Sequence, residues 1–215
     1  MKKIMILGAS ILQLPAIIKA KEMGLQVIAV DMDPNAIGFK EENVICEVIS
    51  TIDEEGILAA AKKHNIDGIV TICTDLPMRA VARVARELGL PGISEEAAYM
   101  CTNKGAMRER LKQCGVPVPE YYNVVTKEEY FDAIRKFENK CVVKAVDNSG
   151  SRGIQLINDV NDIKSVEEAY EYCKQYSHCG ELVVEEFMEG PEVCVETLSV
   201  DGVCYPIQIT DQLAK

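Results

Sequence analysis

Histidine is scarce in this chain, with only two present, and no two of its nine cysteines are spaced as C-x-x-C. The usual ligand sets for a zinc or dithiol redox centre are therefore missing. Positive charge is also in short supply. Twenty-three Lys and Arg face 34 Asp and Glu, a net charge of −11, which argues against a nucleic-acid surface that must neutralise phosphates. A local basic pocket for a small anion is not excluded by that balance. Long hydrophobic runs are absent too. The first apolar stretch (residues 4–7) stops at Gly8, too short for a leader or a membrane span. Internal repeats and low-complexity segments do not occur. These absences lead us to expect a cytoplasmic protein with neither a membrane nor a nucleic-acid partner. The odd, evenly spread cysteines are expected to be reduced and mostly buried.

What is there is globular. The 215 residues are 48% hydrophobic and 27% charged, enough for one or two domains. Residues 4–7 read as a buried strand, residues 11–23 as a helix closed by Gly24, and residues 27–30 as a second strand ending in Asp31. Strand 44–48, helix 53–64 capped by Asp53, strand 67–72 and helix 77–88 continue the alternation. Such alternation makes an α/β unit with a doubly wound parallel sheet over residues 1–95. Two helices, one capped by Ser94 and one opening at Asn103, form a linker over 96–116. Beyond it, helix 126–137, strands 141–146 and 154–157, helix 161–176, strand 181–187 and a hairpin turning at Asp201-Gly202 indicate an α+β unit over 117–215.

Three segments could carry chemistry. Gly8, Ala9 and Ser10 follow the first strand, but a dinucleotide fingerprint needs three glycines, and Gln13 stands where the last would be. Asp31 is placed as a ribose-binding acid would be. A tight strand-to-helix turn is the better account, although the helix start could still hold an anionic substrate. Second, Lys144 lies within an apolar strand, where an unpaired ammonium is costly and needs an anion from the protein or a ligand. It precedes Ser149, Gly150, Ser151, Arg152 and Gly153, a small-residue loop that could fold over a polyphosphate or could simply be a solvated hairpin tip. Third, Glu185 ends an apolar strand before Phe187 and Glu192. Its free edge could meet an adenine, and the later carboxylate could reach ribose hydroxyls.

Taken in order, these segments resemble the ATP-grasp superfamily along the whole chain. Residues 1–95, with Asp31 to Asn35, look like the pre-ATP-grasp domain of carbamoyl-phosphate synthase, biotin carboxylase and the purine-pathway carboxylate–amine ligases. The resemblance implies that Lys104 and Lys144 contact ATP phosphates and that residues 149–153 are the flexible glycine-rich loop. It further implies that Glu185 and the Phe187 backbone meet adenine, and that Glu192 binds ribose. The implied activity is ATP-dependent ligation, in which a carboxylate becomes an acylphosphate that an amine or other nucleophile attacks. Lysines and loop amides would offset charge on the transferred phosphoryl group, and loop closure would exclude water. Small-molecule carboxylate and amine substrates are the implied partners, and a homo-oligomer is compatible with the reading.

The family's Mg2+ ligands and catalytic residues lie well downstream of the ribose acid. We therefore expect them beyond Lys215, no metal ligand within the chain, an incomplete ATP-grasp domain, and a fragment inactive by itself. Arg79 and Arg83, one turn apart after Asp75, could orient an anionic substrate, although a solvated helix face is the simpler reading. Two other classes compete with the ligase: a non-catalytic nucleotide or ligand sensor, and an NAD-dependent enzyme built on residues 1–95.

Overall fold

The structure, a computed structural model, describes residues 1–212. The first sheet is parallel in the order β3-β2-β1-β4, formed by β1 (Lys3–Leu7), β2 (Gln26–Asp31), β3 (Val44–Val48) and β4 (Gly68–Thr71). Side-chain alternation along each strand divides its apolar residues between two cores. Met5, Leu7, Ile28 and Val30 pack under α2 (Glu54–His64) and α3 (Met78–Leu88). Ile6, Val27 and Ala29 pack under Ile17 and Ala20 of α1 (Leu14–Glu22) on the opposite face. Helices on both faces make this sheet doubly wound, as the alternating sequence implies.

Helix boundaries follow local chemistry. Asp53 caps α2 by accepting from the Gly56 amide at 3.0 Å, and Gly89 closes α3 in a left-handed conformation. The helix α1 starts three residues later than the apolar periodicity suggests. Residues 11–13 instead form a turn in which the Gln13 and Leu14 amides donate to the Ser10 carbonyl. Two further helices follow, α4 (Glu95–Thr102) capped by Ser94 and α5 (Lys104–Gln113) capped by Asn103.

The second sheet is antiparallel, in the order β5-β8-β6-β7, with β5 (Tyr121–Val124), β6 (Cys141–Ala145), β7 (Ile154–Ile157) and β8 (Leu182–Glu186). The sequence reading omits β5, a four-residue edge strand. One face is covered by α6 (Lys127–Ile134), which starts in a capping box between Thr126 and Glu129, and by α7 (Ile163–Tyr176). Cys141, Val143, Ala145, Leu182 and Val184 point into that core. Lys144 and Glu185 stand on alternate positions and so face the other way.

A hairpin of β9 (Glu192–Val200) and β10 (Val203–Gln212) forms a separate two-stranded sheet, exposed along its whole length. Asp201 and Gly202 turn it, both with positive φ. The last three residues of the 117–215 unit lie outside the described residues.

The cysteines correct one expectation. Only Cys141 and Cys173 are buried; the other seven are exposed, and none is paired in a disulfide. Four of the seven lie in the solvent-facing strands and turns at 46, 73, 194 and 204 rather than at core positions, which periodicity alone does not reveal.

Candidate nucleotide site

Strand register brings the central charges together. In the β6–β8 ladder Lys144 lies opposite Val183 and Val142 opposite Glu185, so Lys144 and Glu185 are diagonal neighbours on the face not covered by α6 and α7. Lys144 Nζ donates to Glu185 Oε2 at 2.5 Å. Arg108, on α5, reaches the same carboxylate with Nε to Oε1 at 2.8 Å and Nη2 to Oε2 at 3.3 Å. Glu185 is 1% exposed. Burial opposes its charge, but hydrogen bonds from Arg108 and Lys144 outweigh that and hold its carboxyl below the usual range. Lys144 thus has its anionic partner within the protein.

The start of α5 is fastened to the end of β6. The Lys104 amide donates to Val146 O at 2.8 Å, and Asn103 Oδ1 accepts from the Ala106 amide at 2.9 Å. These bonds aim the Lys104 side chain at the following loop, where its ammonium donates to the Asn148 carbonyl. Burial, and then the nearby Lys144 charge, push the Lys104 pKa below the ordinary lysine value.

The loop over residues 147–153 is clamped at both ends. Asp147, buried, accepts from the His178 amide at 3.0 Å and the Cys179 amide at 2.8 Å. Burial raises its pKa, yet the hydrogen bonds from Cys179 and His178 leave it lowered overall. At the far end Gly153 has φ +67°, and a Cβ there would lie 2.6 Å from Tyr176 Cβ and 3.0 Å from Ala145 Cβ. Gly150 and Ser151 also take left-handed conformations, at φ 69° and 59°. Ser149 lies at the cleft, while Arg152 is exposed and reaches back toward the Ser149 carbonyl at 3.4 Å.

Lys104 and Ser149 line a cleft of about 140 Å³ with Asp75, Thr102, Met107 and Asn148. Phe187 and Glu192 sit elsewhere, around a surface hollow with Met188 and Pro191, and Lys140 Nζ lies 4.4 Å from the Phe187 ring centroid. The structure therefore gathers Lys104, Lys144, Ser149 and Glu185, and places Phe187 just past the end of β8 and Glu192 at the start of β9. Arg108 escaped the sequence reading. Its signal was its spacing, four residues after Lys104 and so on the same helical face.

The arginines of α3 are occupied. Arg79 Nε donates to Thr102 Oγ1 at 2.7 Å and stacks 5.1 Å from the Tyr99 ring centroid, and Arg83 pairs with Glu54 and Glu55. At Gly8 the tight-turn reading matches the geometry. Gln13 covers the glycine so closely that a Cβ there would lie 2.8 Å from Gln13 Cδ, and Gln13 Nε2 donates to Ile72 O at 2.8 Å. Asp31 is engaged by the Ala9 amide at 2.8 Å and the Asp33 amide at 3.0 Å. The Gln13 side chain thus packs directly against Gly8. Among the described residues, no group of three His, Cys, Asp or Glu side chains is placed to hold a metal ion.

Comparison with known proteins decides the family. Residues 102–212, just over half of the chain, match the model for the phosphoribosylglycinamide synthetase ATP-grasp (A) domain. The chain belongs to the ATP-grasp family. Its curated relatives include the carbamoyl-phosphate synthase of Methanobrevibacter smithii, 25% identical over 87% of this chain and 49% of that protein. Another is the formate-dependent phosphoribosylglycinamide formyltransferase of Bacteroides fragilis, 29% identical over 88% of this chain and 48% of that protein. Among solved structures, phosphoribosylglycinamide synthetase from Anaerococcus prevotii superposes with a TM-score of 0.68 at 26% identity, covering 98% of this chain and 51% of that one. This ATP-grasp chain thus spans about half the length of such relatives. No helix among its described residues is long and apolar enough to cross a membrane.

Proposed function

We propose that this chain supplies the nucleotide-binding half-site of an ATP-dependent ligase that activates a carboxylate as an acylphosphate for attack by an amine or other nucleophile. Carbamoyl-phosphate-synthase-like chemistry is the finer form of this reading. The observation that carries it is the charge cluster of Lys144, Arg108 and Glu185 beside Lys104 and the clamped 147–153 loop. Two cations held by one buried carboxylate keep a fixed orientation, so little reorganisation is required when a polyphosphate arrives. Lys104, held below its ordinary pKa by burial and then by the Lys144 charge, has its ammonium form favoured by an incoming anion.

In this reading Lys104, Lys144 and the backbone of Ser149, Gly150, Ser151 and Gly153 face the phosphates, with Arg152 free to swing in from the exposed loop tip. The Phe187 backbone faces adenine and Glu192 faces ribose, whereas Glu185, 1% exposed with both oxygens taken by Arg108 and Lys144, holds those cations in place and does not itself meet adenine. Division into units at 1–95, 96–116 and 117–215 belongs to the same proposal. Mg2+ would accompany the nucleotide and shield its phosphate charge, and this reading looks for its ligands outside the residues named above. We also propose a cytoplasmic setting and small-molecule substrates, with assembly into a homo-oligomer compatible with the fold.

The test is trapping of an acylphosphate. With MgATP, a panel of carboxylates and hydroxylamine, the 215-residue chain should bind ATP but form no hydroxamate, whereas a polypeptide matching the relatives' full length should form it with one of the carboxylates. Hydroxamate formed by the 215 residues alone would refute the claim of inactivity. Failure of the longer polypeptide to consume ATP with any carboxylate would refute the ligase reading.

A further inference from the structure

Helix α5 carries four cations, and two of them turn inward. Arg110 and Lys112 are exposed, whereas Lys104 and Arg108, one turn apart, are partly buried. Arg108 is set in place by contacts on either side of it. Gly105 lies so close to β5 that a Cβ there would stand 2.5 Å from Asn123 Oδ1. Glu109 accepts from the Tyr121 hydroxyl at 2.8 Å. Tyr121 is directly opposite Glu185 in the β5–β8 ladder, so the two side chains share one face of the sheet. Fastening α5 to β5 at residues 105 and 109 therefore delivers Arg108 to Glu185.

The two cations on Glu185 are not equivalent. Arg108 bonds both carboxylate oxygens, whereas Lys144 reaches only Oε2. An ammonium has three protons to donate, and Glu185 takes one from Lys144. No second partner of Lys144 Nζ is found among the described residues.

The sum of charges then decides what a phosphate meets. Lys144 and Glu185 alone would form a neutral pair, and the carboxylate would cancel the attraction of the lysine for an incoming anion. Burial leaves Glu185 with almost no water to offset its charge, so another cation must do so. Arg108, bonded along the whole carboxylate, supplies that charge. The cluster as a whole keeps one positive charge, and the Lys144 ammonium carries it with two protons undirected.

We propose that Arg108 is a positioning residue: it neutralises Glu185 so that the Lys144 charge stays available to the nucleotide phosphates, and it does not itself touch the nucleotide. The inference rests on the reading of Lys144 as a phosphate contact.

The test combines calorimetric titration of the 215-residue chain with ATP and an NMR measurement on the wild-type chain. Arg108→Gln should weaken ATP binding by about tenfold, the effect of losing one charge beside a polyphosphate. Adding Glu185→Gln to that variant removes the anion as well, and should bring the affinity back to within about threefold of wild type. In the wild-type chain the Arg108 Nε–H signal should keep its position through ATP saturation, because its acceptor does not change. This last measurement needs no variant to fold. Unchanged ATP affinity in Arg108→Gln, a loss that persists undiminished in the double variant, or an Arg108 Nε–H signal that moves in step with ATP occupancy would each overturn the proposal. Lys144→Met separates the two readings. Weaker ATP binding in Lys144→Met with none in Arg108→Gln sinks the role of Arg108 alone, whereas unchanged binding in Lys144→Met sinks the phosphate reading on which it rests.

Discussion

Lys144 and Glu185 face each other diagonally across neighbouring antiparallel strands, 2.5 Å apart, with Arg108 closing on the same carboxylate from a helix. The arrangement has one anion for two cations. A surplus of positive charge is therefore built into the sheet face beside Lys104.

Removing the shared anion should be costly. Glu185→Gln leaves two cations without their partner, and we expect a loss of about 3 kcal/mol, at the low end for a broken buried pair because Lys144 and Arg108 keep about a fifth of their side-chain surface exposed. Urea denaturation would measure it. The same carboxylate gives the fold an acid-side dependence. Its folded pKa is lowered, so its stabilisation is present above the usual glutamate pKa and is lost as pH falls through the folded value. Glu185→Gln should therefore flatten the acid limb of the stability curve; an unchanged limb would show that other carboxylates set it.

Lys104 should give nucleotide binding an alkaline limit. Its pKa lies below the ordinary lysine value, so the ammonium that meets a phosphate is lost at lower pH than for a free lysine. ATP affinity should fall as pH rises through that depressed pKa, with proton uptake on binding in that range. Lys104→Arg, whose charge does not titrate there, should bind ATP without the alkaline fall. Calorimetry in buffers of different ionisation enthalpy reads both effects.

Gly153 should not tolerate a side chain. Alanine there would adopt a left-handed conformation and press on Tyr176 and Ala145, and we expect Gly153→Ala to destabilise by about 2 kcal/mol. Because the strain falls at the loop's hinge, the loss should be accompanied by weaker ATP binding than in a Gly150→Ala control, where nothing lies closer than 4.0 Å to the added Cβ.

Thiol counting tests the corrected cysteine reading. Seven cysteines should react with Ellman's reagent in the native protein, and Cys141 and Cys173 only on unfolding. Burial pushes both of these thiols up to about 12, so their thiolate fraction near neutral pH is negligible.

Much of this was legible in the chain because period and punctuation agreed. Asp53, Ser94 and Asn103 open their helices and Gly89 closes its own where the sequence says they should. Lys144 stood out as a cation in an apolar strand that needs an anion; which face of the sheet it occupies was supplied by the structure. The omissions have physical causes. Arg108 sits in a helix rich in Lys and Arg, and composition cannot say which of them turns inward. The strand β5 is four residues long and follows Pro117 and Pro119, so neither length nor alternation distinguishes it from a loop. The late start of α1 depends on Ser10 accepting two amides, a tertiary detail hidden behind an uninterrupted apolar pattern. That Lys144 and Glu185 meet depends on strand register, which a single sequence does not specify.

The central claim is that Lys144, on the open face of the second sheet, binds nucleotide. Isothermal titration of the 215-residue chain with ATP tests it most directly, with Lys144→Met alongside and NADH as competitor. The account predicts saturable ATP binding, weakened at least about tenfold in Lys144→Met by loss of a charged phosphate contact, and no competition from NADH. Equal ATP affinity in the wild-type and Lys144→Met chains, or displacement of ATP by NADH, would contradict it.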